Sequence, residues 1–274
     1  MKKINFFKVQ ASGNDFILLD ARKNKGSKPN YKNFAKKYCL RQSGIGADGV
    51  LVIESSKKAS FKMRIFNADG SEAEMCGNGA RCAGLWAYRF IPRLGANFSF
   101  DTLAGIIYVQ IEKNEKIKVQ MINPFGLKLD LPLKVFSRNI RVNFINTGVP
   151  HAVVFVSNLG AIDVEGIGRE IRFDKKFKPR GTNVNFVEVC DKSTIKIRTY
   201  ERGVEAETLA CGTGSVASAI ISLVKLDSEI KKNKIKVKTS GGEVLTVYFD
   251  KQGKVITSVW LQGRAYLVYE ASLL

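Results

Sequence analysis

Two short stretches carry residue types able to do acid/base chemistry, and they are alike. Glu74-Met75-Cys76-Gly77-Asn78-Gly79-Ala80-Arg81 and Leu209-Ala210-Cys211-Gly212-Thr213-Gly214-Ser215-Val216 share the pattern Cys-Gly-x-Gly. A strand-like segment precedes each, at 61–66 and 195–200, and an apolar run long enough for a helix follows each. Both cysteines therefore fall at a strand-to-helix turn, where the first backbone N–H groups of the helix have no intrahelical partner. The partial positive charge at such a turn favours thiolate over thiol and can hold a carboxylate.

A cysteine thiol has an unperturbed pKa of about 8.5, so both protonation states coexist near neutrality, as an acid/base group requires. Two thiols presented to one tetrahedral carbon from opposite sides can remove a proton from one face and deliver another to the opposite face. That is stereoinversion. The N–H groups of Gly77, Asn78, Gly212 and Thr213 are candidates to hold the substrate carboxylate and the charge that builds as the α-proton leaves. Such chemistry calls for no cofactor, and two thiols leave pyridoxal phosphate no obvious task. The competing reading is that free cysteines simply fill core space; it weakens because both lie at glycine-flanked helix starts. Cys39, Cys82 and Cys190 keep the space-filling reading.

The elements around the motifs recur. Cys76 and Cys211 lie 135 residues apart, and the same offset relates Gly13 to Gly148 and Gly46 to Gly181, each next to a strand. Thr102 and Gly105 find counterparts in Thr239 and Gly242 at an offset of 137. Landmarks recurring in one order argue for two copies of a half-domain. The expected fold is α+β, with two pseudo-symmetric halves, each a mainly antiparallel strand layer wrapped around a central buried helix. The halves are expected at 1–119 plus 264–274 and at 120–263. The run 216–224 has no polar face beyond serines, so its helix must be buried. Gly44-Ile45-Gly46-Ala47-Asp48-Gly49 matches G-x-G-x-x-G, but it leads into a strand at 50–54 rather than a helix. That order excludes a dinucleotide fingerprint.

Composition narrows the partners. The chain has 274 residues, 45% hydrophobic and 25% charged, which is globular. No apolar run reaches the roughly 18 residues of a membrane span, and the polar residues Asn5, Lys8 and Gln10 interrupt any signal-peptide core. Five cysteines without paired spacing fit a reducing compartment; a cytoplasmic protein is expected. With one histidine, His151, and with Cys76 and Cys82 six apart, no metal site is expected. The formal charge of +19 raises nucleic acid as a partner. The basic residues are spread out, however, and 234–238 alternates lysine with apolar residues as a half-exposed strand would. No nucleic-acid-binding motif accompanies the charge, so no nucleic acid and no membrane is expected.

Taken by type alone, Asn14 reads as a turn residue, Asn67 as a turn cap, Glu201 and Arg202 as an exposed ion pair, and His151 as a structural histidine. Three blocks change that reading: Gly13-Asn14-Asp15-Phe16; Phe66-Asn67-Ala68-Asp69-Gly70-Ser71-Glu72 through Cys82; and Tyr200-Glu201-Arg202-Gly203 through Gly214. They closely resemble the diaminopimelate epimerase family, and the likeness runs over nearly the whole chain. Cofactor-independent proline racemases share the architecture, but the Phe-Asn-Ala-Asp-Gly-Ser and Glu-Arg-Gly blocks favour the diaminopimelate branch. The resemblance implies interconversion of LL- and meso-diaminopimelate with Cys76 and Cys211 as the acid/base pair. It further implies Asn14, Asn67, Asn183, Glu201 and Arg202 as substrate contacts, and His151 and Glu201 as groups tuning the thiols. It also implies a homodimer and a strand at 265–269 that returns to the first half. Val149 departs from the asparagine that many members carry before Pro-His, and Gly49 lacks a side-chain amide that some use. A racemase of another amino acid is the alternative in the same chemical class, and a basic nucleic-acid-binding protein is the alternative outside it.

Overall fold

A computed structural model describes residues 3–22, 29–225, 233–253 and 255–273. Most of the lysine-rich loop expected around 23–32 lies outside the described residues. The first elements are β1 (Ile4–Ala11), β2 (Asn14–Asp20), α1 (Tyr31–Tyr38), β3 (Gly49–Glu54), β4 (Lys62–Asn67), β5 (Glu72–Ala73) and α2 (Gly77–Phe90). There follow β6 (Asn97–Thr102), β7 (Gly105–Ile111), β8 (Ile117–Gln120), β9 (Phe125–Val135), β10 (Arg138–Asn146), β11 (Pro150–Phe155) and α3 (Val164–Arg172). The last are β12 (Asn183–Asp191), β13 (Thr194–Glu201), β14 (Ala206–Thr208), α4 (Gly212–Lys225), β15 (Lys234–Lys238), β16 (Val244–Gln252), β17 (Val255–Gly263) and β18 (Tyr266–Leu273). The chain divides into two compact units, Met1–Gln120 with Gly263–Leu274, and Met121–Gln262.

In the first unit the ladder runs β18-β1-β2-β3-β4-β6-β7-β8, with β5 also on β4. Only β2–β3 and β4–β6 are parallel. The period-2 pleat sends alternate side chains to opposite faces, and β2 and β3 use both faces. Phe16, Leu18, Leu51 and Ile53 pack with Ala80, Ala83 and Trp86 of α2. Ile17, Leu19, Val50 and Val52 pack instead with Tyr31, Phe34 and Ala35 of α1. The helix α2 is buried from Gly77 through Ala87, so it sits inside the strands while α1 covers the outer face.

The second unit's ladder runs β9-β10-β11-β12-β13-β15-β16-β17, with β14 also on β13. Its parallel pairs are β11–β12 and β13–β15. One face, through Ala152, Val154, Val184 and Phe186, packs with Val164 and Ile171 of α3. Residues Gly214 to Leu223 of α4 are buried, as its apolar sequence requires. In β15, Ile235 and Val237 are buried between exposed lysines. The helix α3 has no counterpart in the sequence reading; Asp163 caps it by accepting the Gly166 N–H at 2.9 Å. Among the described residues each unit thus adds a second α-helix, α1 or α3, to the buried α2 or α4.

Candidate functional site

Cys76 is the N-cap residue of α2, with φ −141° and ψ 122°. Its carbonyl accepts the Ala80 N–H at 2.8 Å, and its Sγ accepts the Gly79 N–H at 3.4 Å. The sulfur therefore satisfies one of the unpaired donors of the first helical turn. A side chain at Gly79 would bring its Cβ within 3.0 Å of Leu51 Cδ2 and 3.6 Å of Cys76 Cβ, which explains a glycine there. Gly77 and Asn78 are buried in the same turn. Asn78 Oδ1 accepts from Arg81 at 2.9 Å, and Arg81, fully buried, also donates to Ser12 Oγ at 2.5 Å.

The ladder register brings polar residues to this turn. Gly49 lies opposite both Phe16 and Asn67, so Asn14, Asp48 and Asn67 share one end of β2–β3–β4. The Cys76 thiol donates to Asn14 Oδ1 at 3.7 Å, and Asn14 Nδ2 donates to Asp48 Oδ2 at 2.6 Å. Asp48 also accepts from Arg41 at 2.7 Å and from the Asp15 N–H at 3.1 Å. Asp15 pairs with Arg41 at 2.8 Å and Lys8 at 2.6 Å. Burial pushes the Asp15 carboxyl up, but the hydrogen bonds and charges of Arg41 and Lys8 outweigh it and hold the group below the usual range. Asn67 Nδ2 donates to Ser71 Oγ at 2.9 Å.

Around Cys211 the backbone is built alike. The Cys211 carbonyl accepts the Ser215 N–H at 2.9 Å, and its Sγ accepts the Gly214 N–H at 3.4 Å. Thr213 Oγ1 lies 3.5 Å from that sulfur, and the Thr213 carbonyl accepts from Thr147 Oγ1 at 3.0 Å. A Cβ at Gly214 would fall less than 3.0 Å from Asn185 Oδ1 and 3.3 Å from Cys211 Sγ.

Register again collects the polar residues: His151 lies opposite Asn183, and Val184 opposite Tyr200. Asn183 Oδ1 accepts the Arg202 N–H at 2.9 Å, and its Nδ2 donates to the Pro150 carbonyl at 3.1 Å. Glu201 Oε2 accepts from Thr208 Oγ1 at 2.9 Å. Burial, helped by the charges of Arg172 and Arg180, holds the Arg202 guanidinium below its usual value. His151 is fully buried, and burial with the Arg202 charge lowers its pKa to about 3. Asn185 Nδ2 lies 3.1 Å from His151 Nδ1 and, as the donor, fixes the ring proton on Nε2. Nε2 is buried and has no hydrogen-bond partner among the described residues.

The first unit gathers Cys76, Gly77, Asn78, Asn14 and Asn67; the second gathers Cys211, Gly212, Thr213, His151, Asn183, Glu201 and Arg202. Asn14 begins a strand, and the positive φ of its hairpin falls on Ser12 and Gly13. Asp48, Arg41, Arg81 and Asn185 escaped the sequence reading. For Asn185 the signal was present: Asn183 and Asn185 share one face of a strand whose first five residues are otherwise the apolar Val184, Phe186 and Val187, and a buried amide demands partners. Among the described residues no cluster of three or more His, Cys, Asp or Glu is arranged to hold a metal ion, and no helix is long and apolar enough to cross a membrane.

Comparison with known proteins places this geometry. The family model described as diaminopimelate epimerase matches residues 6–125 and 143–268. A diaminopimelate epimerase of Aquifex aeolicus is 44% identical, covering 98% of this chain and 98% of its own. One of Methanocella arvoryzae is 41% identical, covering 100% and 98%. Among solved structures, a PhzF-family phenazine biosynthesis protein of Bacillus anthracis superposes with a TM-score of 0.79 at 20% identity, over 100% of both chains. A probable proline racemase of Agrobacterium radiobacter gives 0.72 at 14% identity, over 99% and 93%. These last two share the fold; the sequence matches, spanning nearly the whole chain, go further: the chain belongs to the diaminopimelate epimerase family.

Proposed function

We propose that this chain interconverts LL- and meso-diaminopimelate without a cofactor, with the Cys76 and Cys211 sulfurs as the acid/base pair. The observation that carries the reading is the identical cap at the two cysteines, each sulfur 3.4 Å from the third N–H of a helix, in a chain of this family. One sulfur, as thiolate, takes the α-proton and becomes a thiol. The electron pair left on carbon spreads into the carboxylate, where the N–H groups of Gly77, Asn78, Gly212 and Thr213 stabilise it. The other sulfur, as thiol, returns a proton to the opposite face and becomes a thiolate, and the reverse reaction exchanges the roles. Asn14, Asn67, Asn183, Glu201 and Arg202 read the substrate's amino and carboxylate groups; amides and one guanidinium suit a partner that is both cation and anion. His151, held neutral, acts by bracing Asn185 against the Cys211 turn, and Glu201 is the second group that tunes the thiols.

The two units are read as pseudo-symmetric copies of one half-domain, supported by the matching order of parallel and antiparallel pairs. Gly13 and Gly148 at each hairpin also share positive φ, 79° and 109°. The domain boundary is read at 119/120 and 263/264. The product serves lysine and cell-wall precursor synthesis, in the cytoplasm, with neither nucleic acid nor membrane as partner. A homodimer completes the reading; the exposed Tyr266 and Val268 on one face of β18 are apolar surface a second copy would cover.

The test is proton NMR of LL-diaminopimelate with purified protein in heavy water and no added cofactor. The α-proton signal is expected to fade as meso isomer accumulates. Absence of exchange, with exchange of another amino acid in a parallel panel, would replace the substrate. The apolar Val149 is the observation that makes the panel worthwhile.

A further inference from the structure

The hydrogen bonds around Asn14 bear on the proton of Cys76. Asp48 is an acceptor on every side: Oδ1 takes Arg41, and Oδ2 takes both the Asp15 N–H and Asn14 Nδ2. A carboxylate in that position offers no proton, so the Asn14 amide has one orientation, with Nδ2 toward Asp48 and Oδ1 toward Cys76 Sγ. An amide oxygen 3.7 Å from sulfur accepts from S–H and repels S⁻.

The positions related by the 135-residue offset to Asp48 and to Asn14 are Asn183 and Val149, so the second unit does not repeat this pair of side chains there. We propose that Asp48, clamped by Arg41, is a positioning residue that orients Asn14 and thereby favours the protonated form of Cys76 in the substrate-free enzyme. The proposal rests on the two-thiol reading above and adds to it a side chain that biases one sulfur toward the acid role.

The surrounding charges do not produce this bias by themselves. Around Asn14 stand two cations, Lys8 and Arg41, and two anions, Asp15 and Asp48, joined in one network. Burial pushes the nearby Cys39 thiol up to about 11, so it stays neutral. From α2, the buried Arg81 guanidinium bears on the same turn through Ser12 and Asn78 and opposes the bias. The direction is therefore set by the amide orientation that Asp48 imposes.

The experiment is iodoacetamide labelling of the full-length, substrate-free protein across pH, read at each cysteine peptide by mass spectrometry. The pH at half-maximal rate is compared, since it reports ionisation rather than access. Asp48→Asn, which lets the Asn14 amide turn over, should lower the Cys76 midpoint by about one pH unit and leave Cys211 where it was. Asn14→Ala removes the acceptor but keeps all four charges, and should also lower the Cys76 midpoint. An unmoved Cys76 midpoint in Asn14→Ala overturns the proposal; a shift in Asp48→Asn alone would mean that charge, not orientation, sets the proton, and overturns it too. Loss of the two-thiol reading would appear separately, as absent α-proton exchange with normal labelling curves.

Discussion

Cys76 and Cys211 receive the same backbone N–H at the same distance, 3.4 Å, yet they are backed by different chemistry. Behind Cys76 stand Lys8, Asp15, Arg41, Asp48 and the buried Arg81, a charged network reaching the sulfur through one amide. On the Cys211 side Asn185 links His151 to Thr199 Oγ1 at 3.1 and 3.0 Å, Glu201 accepts from Thr208 Oγ1, and the Arg202 N–H donates to Asn183. Each helix start supplies its sulfur with one N–H donor, the kind of group that steadies negative charge. In the two-thiol reading proposed above, the side chains supply what must differ when the substrate is not itself symmetric about the reacting carbon. Equality in the main chain and inequality in the side chains is the division of labour that reading expects.

The sharpest way to break the comparison is to delete either sulfur. Cys76→Ala and Cys211→Ala should each cost about 10²–10⁴-fold or more in inversion rate, by the usual yield of a positioned acid or base. Substantial inversion by either variant in the NMR assay would mean the two turns are not partners in one reaction.

Acid separates the two backings. The His151 pKa of about 3 lies below the ordinary histidine value of 6.5, so between those values the unfolded chain binds a proton that the folded chain refuses. Its contribution to stability is therefore complete above about pH 6.5 and lost as pH falls toward 3, on the order of several kcal/mol at the low end. Urea melts at stepped pH should show the loss, and His151→Gln should flatten the curve across that window. An unchanged slope in the variant would show that the acid sensitivity lies elsewhere.

The smallest contrast concerns the glycine at the third position of each helix. A methyl group at 214 meets Asn185 Oδ1 and the Cys211 side chain, which a hydrogen-bond network holds in place; one at 79 meets the end of Leu51, which can turn aside. Gly214→Ala should destabilise by about 1–3 kcal/mol, and Gly79→Ala by less. Denaturant melts giving equal losses would argue that the Asn185 contact yields as readily as the Leu51 contact.

Much of this was legible beforehand because the signals were local. Helix starts at the two cysteines, the buried run in α4 and the alternating lysines of β15 follow from periodicity and from glycine placement. The helix α3 was missed because its nine residues include two glycines, which lower helix propensity, and only the Asp163 cap announces it. The strand β9 has strict alternation from Phe125 to Val135, but its first half is exposed, so the pattern there does not mark a core. Asp48 and Arg41 were invisible for a different reason. Their importance comes from register, which sets residues 14, 41 and 48 side by side, and no spacing along the chain encodes that. Candidate reactive groups could be named from sequence; the groups that orient them needed coordinates.

The pairing of β18 with β1 joins Ile4 to Leu273 and Gln10 to Tyr266. On the ribosome this delays one unit and not the other. The stretch 121–262 is continuous and can close its ladder as soon as it has emerged, whereas β1, with Phe6 and Phe7, waits with an open edge until 266–273 follow. Throughout that interval the nascent chain carries a strand able to pair with a neighbour's, so the first unit stays exposed to misassembly until 266–273 have been made.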